Sequence, residues 1–167
     1  MTDELDGSHW RPLRVLLEAI DRDIAALYEE AGLDEVRTRF VGPLIQLGRH
    51  GPLTIRELAT RVEVTHSAMS QTVAAMRAAG LVESASGPDG RTRLVQPSTR
   101  GREVLPFLEA EWRATEATVR ELDAALPYPL TRVVADLEAL LRDRSFADRL
   151  RAHLARHTEV GTGAGTG

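Results

Sequence analysis

The chain has 167 residues, 43% hydrophobic and 28% charged, a balance typical of a globular protein. It contains no cysteine, which excludes disulfides, thiolate metal sites and cysteine nucleophiles, and its apolar runs are far shorter than the roughly 20 residues of a membrane span. We therefore expect a cytoplasmic protein that is neither exported nor inserted in a membrane. The net charge of -4 is uneven: residues 49–102 are net basic between two net acidic flanks, as in a polyanion-binding module, although random scatter would also give a small difference.

Two amphipathic helices are predicted on the N-terminal side. The first follows Pro12 and stops at Gly32. The second runs from Asp34 to about Leu47, and the Gly42-Pro43 pair is expected to split or kink it. The apolar stripe of the first helix, which is either core or dimer seam, consists of Leu13, Leu16, Leu17, Ile20, Ile24, Leu27 and Tyr28.

The basic middle predicts a helix, a tight turn, a second helix and a β-hairpin. Thr54 and Glu57 form a capping-box pattern at the first helix, and Thr65 is an N-cap for a second helix that ends near Gly80. Residues 81–84 and 92–95 predict two short strands around a glycine-rich turn. This order is typical of a winged helix-turn-helix.

A long helix is predicted from about Ser98, and further apolar periodicity continues to Leu154. The fold class is thus mostly α with a small β-hairpin wing, a winged helix-turn-helix flanked by N- and C-terminal dimerisation helices. The predicted segments are a disordered N-terminus (1–9), the N-terminal dimerisation helix and second helix (10–48), the DNA-binding lobe (49–102), the C-terminal dimerisation helices (103–157) and a disordered tail (158–167).

The exposed positions of the second helix and the wing carry side chains suited to DNA. In a winged helix-turn-helix the second helix enters the major groove and the wing reaches backbone or minor groove. Hydroxyl groups bond phosphates or base edges, and Gln71 can contact adenine through two hydrogen bonds. A solvated helix face is the alternative interpretation. The predicted DNA-binding residues are Thr65, His66, Ser67, Ser70, Gln71, Arg91 and Arg93.

Residues 51–105 resemble the DNA-binding core of the multiple antibiotic resistance regulator (MarR) family. The similarity lies in the Leu-Thr start, the Glu-Leu-Ala of the first helix, the Ser-x-x-x-Gln of the second, the Gly-Leu-Val before the wing and Asp89-x-Arg91 at its tip. The sequence departs from the family pattern in two places: Gly90 replaces an arginine, and Pro97-Ser98 replaces Leu-Thr. With its helical flanks, the resemblance spans about residues 10–155.

The resemblance implies a homodimer, built from the N- and C-terminal helices, that binds a pseudo-palindromic double-stranded operator, most often as a repressor. It also implies that Asp89 orients Arg91, and that a small aromatic or anionic effector binds between the dimer helices and the DNA-binding lobe. The candidate effector-binding residues, whose aromatic members could equally be core, are Arg14, Tyr28, Phe40, His50, Trp112 and Arg113.

Catalytic motifs are missing from the sequence, so we expect neither an enzyme nor a cofactor. His153 and His157 stand four residues apart, but apart from Glu159 no third ligand is nearby in sequence, so we predict no metal site. The alternative function is a winged-helix dimerisation or protein-interaction adaptor without specific DNA binding. The polar second helix and basic wing favour the DNA-binding interpretation.

Overall fold

A computed structural model of the chain describes residues 8–87 and 92–162, with side chains to Arg156 in the last helix. The described residues form two compact units, which divide between Arg113 and Ala114. None of the described helices combines the length and the apolar character that a membrane span needs. The elements follow in the order α1 (Arg11–Glu30), α2 (Thr38–His50), α3 (Ile55–Arg61), α4 (His66–Ala78), β1 (Val82–Ser86), β2 (Arg93–Pro97), α5 (Thr99–Ala125), α6 (Leu130–Asp143) and α7 (Phe146–Thr162).

Helix α1 confirms the first predicted helix. It begins after Trp10 with proline in its first turn, and Gly32 beyond its end has a φ of 68°, a left-handed conformation that favours glycine. Tyr28 near its C-terminal end is buried. Farther up the same face, Leu17 is 53% and Ile20 38% exposed. Four of the seven residues of the predicted stripe are thus exposed and lie outside the core.

Helix α2 differs from the prediction in its bounds and continuity. It begins at Thr38 instead of Asp34, because the preceding residues form a turn in which the Arg37 guanidinium donates to the carbonyl oxygens of Asp34 (2.6 Å) and Val36 (3.0 Å). It ends at His50 and is not split at Gly42-Pro43. Burial of apolar residues on both sides of Pro43 offsets the backbone hydrogen bond that proline cannot make.

Helices α3 and α4 form as predicted. The Thr54 hydroxyl accepts from the Glu57 N–H (3.2 Å), and the Glu57 carboxylate accepts from the Thr54 N–H (2.8 Å), a complete capping box. The Thr54 N–H, and after it the Thr54 hydroxyl, which also donates to the Glu57 carboxylate (2.8 Å), hold the pKa of Glu57 below its ordinary value. The turn to α4 passes through Glu63, whose φ is 57°. Leu58 of α3 is fully buried, which fixes α3 to the core.

The hairpin is displaced slightly from its predicted position. Strands β1 and β2 are antiparallel, with Val82 opposite Pro97 and Ser86 opposite Arg93. Leu81, predicted as the start of the first strand, instead donates its N–H to the Met76 carbonyl and so completes the C-terminal cap of α4. The predicted glycine-rich turn lies largely in residues 88–91, outside the described residues.

Helix α5 is attached to the end of α4 by Ser98. The Ser98 hydroxyl donates to the Gly80 carbonyl (2.6 Å) and accepts from the Gly101 N–H (3.0 Å), and the Ser98 N–H donates to the Leu81 carbonyl (3.0 Å). Gly101 is buried where the helix passes this carbonyl. The segment between α4 and β1 is therefore fixed to the start of α5.

The second unit contains the end of α5, α6 and α7. The Asp123 carboxylate accepts from the Leu130 N–H (2.6 Å) and the Thr131 hydroxyl (2.6 Å), which caps α6; the Thr131 hydroxyl is the main cause of a lowered Asp123 pKa. The predicted continuation after α6 is a separate helix, because Ser145 accepts from the Asp148 N–H and starts α7.

Helix α7 extends to Thr162, which corrects the tail predicted to begin at residue 158, since no proline precedes Gly161 to stop the helix. The predicted disordered segments otherwise fall largely on residues 1–7 and 163–167, outside the described residues. Large apolar side chains of this unit are 38% to 63% exposed, namely Val119, Leu122, Leu126, Leu130, Val134, Leu137, Leu140, Leu141, Phe146, Leu150 and Leu154, together with Tyr128.

Candidate nucleic-acid interface

Helix α4 is held by a fully buried apolar face. Met69, Val73 and Met76 are at most 1% exposed and pack in the core of the first unit. The helix begins at Thr65, whose hydroxyl oxygen accepts from the Ala68 N–H (3.2 Å). Such a cap fixes the first turn, and the buried face fixes the rotation of the helix about its axis.

The predicted DNA-binding residues of α4 differ in exposure. Thr65, His66 and Ser67 lie together at the start of the helix and are exposed, and Gln71 is exposed one turn later. Ser70 is half-buried, because it lies beside the buried face instead of opposite to it. The structure thus brings four of these five side chains to the surface.

The wing is described only in part. Arg93 is exposed at the first residue of β2, and across the two strands the Gln96 amide donates to the Glu83 carboxylate (2.7 Å). Asp89 and Arg91 lie outside the described residues, so their predicted roles stay predictions. The described wing supplies one of its two predicted cations.

Arg77 is a residue of this surface that the sequence analysis did not single out. Its guanidinium, in the last turn of α4, donates to the Ser84 hydroxyl of β1 (3.2 Å). The bond directs the arginine of α4 toward the wing strand. A helical projection of α4 places Arg77 beside the buried face, but the contact with Ser84 depends on where the hairpin packs.

Two of the predicted effector-binding residues belong to the core. Tyr28 is 1% exposed, its hydroxyl donates to the Glu111 carboxylate (3.0 Å), and its ring meets that of Phe107 edge to face at 6.4 Å. Burial, followed by the nearby Glu111, raises the pKa of Tyr28. Phe40 is 2% exposed, with the Arg39 guanidinium 5.6 Å from its ring centre. These contacts agree with the alternative interpretation of both rings as core.

The other four predicted effector-binding residues are exposed. Arg14 lies 3.9 Å from the Glu18 carboxylate, and a ring nitrogen of His50 lies 3.3 Å from the Arg61 guanidinium. Trp112 is 45% exposed, and the neighbouring Arg113 is exposed as well. An effector could reach these four side chains without disturbing the core, whereas Tyr28 and Phe40 would first have to be uncovered.

Metal ligands do not gather within the described part of the chain: no group of three His, Asp or Glu side chains there could hold an ion. His153 is exposed, and the Arg156 guanidinium lies 3.0 Å from its Nδ1. The side chain of His157 is outside the described residues.

Two helices joined by a tight turn and followed by a two-stranded hairpin define a winged helix-turn-helix protein. Residues 44–92 match the model of the MarR family. The resemblance recognised from the sequence is thus confirmed over these residues, and the chain is a MarR-like winged helix-turn-helix protein.

Solved structures of bacterial regulators share this fold. The Mycobacterium tuberculosis regulator MosR in complex with DNA is 21% identical, with a TM-score of 0.56, and the match covers 81% of this chain and 95% of that one. The Staphylococcus aureus MepR–DNA complex is 14% identical, with a TM-score of 0.59 and coverage of 81% and 97%. Streptomyces coelicolor PcaV with its natural ligand is 20% identical, with a TM-score of 0.56 and coverage of 87% and 99%.

The matched family and these three structures are of transcriptional regulators, and none of them indicates an enzyme. No curated protein sequence matches the chain.

Proposed function

We propose that this protein is a homodimeric, cytoplasmic transcriptional regulator that binds a pseudo-palindromic operator and represses by occluding a promoter. The observation that carries the proposal is helix α4, which buries one face completely and presents Ser67 and Gln71 to solvent beside a hairpin carrying the exposed Arg93. A helix fixed in this way and bearing polar groups fits the major groove, and the adjacent cation suits phosphate or a narrow minor groove.

The exposed apolar side chains support the dimer. Each unit exposes large aliphatic residues, such as Leu17 of the first unit and Leu140 of the second. Large apolar side chains that recur at exposed positions along a helix are typical of a protein interface. A twofold dimer would present two copies of α4 to two half-sites, as a palindromic operator requires.

A gel-shift titration tests the proposal directly. The full-length protein is titrated into the DNA that flanks its own gene, with a shuffled duplex of the same length and base composition as competitor. We expect the protein to bind the flanking DNA at least about 10³-fold more tightly than the shuffled duplex. A dimer that binds both duplexes equally would instead indicate the adaptor function.

The wing cation should act through charge. Replacing Arg93 with alanine is expected to weaken specific and non-specific binding together, and to reduce the slope of log affinity against log salt by about one. The same result is expected for Arg91→Ala. Binding measured by fluorescence anisotropy at several salt concentrations gives the slope, and Arg120→Ala, an exposed arginine of α5 in the other unit, is the matched control. An Arg93 variant with the slope of the wild type would show that the wing does not contact DNA.

We further propose that a small aromatic or anionic effector weakens DNA binding. Trp112 and Arg113 are both exposed on α5, where a ring face and a cation are open to an aromatic ligand that carries a carboxylate. Salicylate at millimolar concentration is expected to lower operator affinity about tenfold, which corresponds to a coupling free energy of about 1.4 kcal/mol. Sodium chloride at equal ionic strength is the control, and Arg113→Ala should abolish the difference. Equal effects of the two salts on the wild type would contradict this proposal.

A further inference from the structure

The outermost side chains of α4 form a single stripe. At about 3.6 residues per turn, four positions of α4 lie opposite the buried Met69, Val73 and Met76, at successive intervals of four, three and four residues. These positions, which we call the outer stripe, are Ser67, Gln71, Ala74 and Ala78. The side chains of all four are exposed in the structure.

The outer stripe contains one hydroxyl, one amide and two methyl groups, and no charged side chain. The arginine of α4 lies on its flank, where Arg77 donates to Ser84 of β1 at 3.2 Å. Arginine and lysine are the usual readers of guanine in the major groove. A groove occupied by this stripe therefore meets no side chain of the kind that selects guanine.

We propose that α4 selects A·T base pairs, with Gln71 on adenine and the Ala74 methyl group on the 5-methyl group of a neighbouring thymine. An amide pairs with the N6 and N7 atoms of adenine, and a small apolar side chain packs on the thymine methyl. Gln71 and Ala74 are about 4.5 Å apart along the helix axis, close to the roughly 3.4 Å step between base pairs. This inference rests on the proposed function and specifies which operators it uses.

A selection experiment tests the adenine contact. The full-length wild type and the Gln71→Arg variant each select from a library of duplexes with a randomised central segment. The half-sites enriched by the wild type should have adenine at one position where the half-sites enriched by the variant have guanine. The reason is that arginine pairs with the O6 and N7 atoms of guanine. Enrichment of no motif by the wild type would refute the proposed function. A wild-type motif that is unchanged in the variant, or that has guanine at the altered position, would refute only the present inference.

Uracil substitution tests the thymine contact. Replacing the thymine next to the selected adenine with uracil removes only the 5-methyl group and should weaken wild-type binding about fourfold, the factor expected for one buried methyl group. The Ala74→Gly variant should bind the two duplexes equally. Ala75→Gly is the matched control, since this half-buried neighbour lies off the outer stripe and carries the same cost in helix propensity. Retained discrimination in Ala74→Gly, or its loss in Ala75→Gly, would overturn the assignment of Ala74.

Discussion

Replacement of Gly101 by alanine is expected to lower the free energy of unfolding by at least about 2 kcal/mol. An alanine methyl group at this position would overlap the carbonyl oxygen of Leu81 and lie 3.3 Å from the Cβ atom of Pro97. The Leu81 carbonyl accepts the Ser98 N–H at 3.0 Å, so it cannot turn away without losing that bond. The steric cost therefore exceeds the roughly 1 kcal/mol that alanine gains over glycine in a helix.

Gly42→Ala is the matched control for Gly101→Ala. Gly42 is also helical, but a methyl group there would only contact Val62 at 3.5 Å, an ordinary van der Waals distance. We expect this variant to be more stable than the wild type by about 0.5–1 kcal/mol. Urea denaturation at one fixed protein concentration measures both variants. Similar free energies of unfolding for the two alanine variants would contradict the predicted contact at Leu81.

Replacing Leu17 with glutamate is expected to convert the proposed dimer into monomers. Leu17 is 53% exposed in the protomer and lies in the middle of the apolar stripe of α1. An interface that covers it would bury an unpaired carboxylate, at a cost of several kcal/mol, and twofold symmetry introduces that carboxylate twice. We expect dimerisation to weaken at least about 100-fold, and operator affinity to fall with it, because a monomer contacts one half-site. Sedimentation equilibrium measures the first effect and anisotropy the second.

Val15→Glu is the control for Leu17→Glu. Val15 is 49% exposed on the same helix, but it lies on the opposite side from the apolar stripe. The two variants add the same charge at nearly equal exposure, so a difference between them reports the interface and not the helix. A dimer constant that is unchanged in Leu17→Glu, or equally reduced in both variants, would refute a dimer seam along this stripe.

Local sequence signals determined most of the winged helix-turn-helix. Thr54 with Glu57 and Thr65 mark helix starts through side-chain hydrogen bonds to residues only three positions away, and the apolar spacing of α4 specified its buried face. These interactions lie within one or two turns of helix, so the sequence contains both partners at a fixed separation. The predicted start of α2 at Asp34 is wrong, because the Arg37 guanidinium stabilises a turn between Asp34 and the helix, a contact that apolar spacing does not show.

Burial and side-chain direction were decided only by tertiary packing. Tyr28 and Phe40 were candidates for an effector site as two of the few aromatic residues, but Phe40 is buried and α5 covers Tyr28 through Phe107 and Glu111, which are distant in sequence. Arg77 is directed to Ser84 by the position of the hairpin.

The outer stripe of α4, by contrast, was determined by helical periodicity alone, because the direction of each side chain around a helix axis follows from its residue number. Contacts between elements depend on how those elements pack, which no local hydrogen bond or apolar spacing encodes.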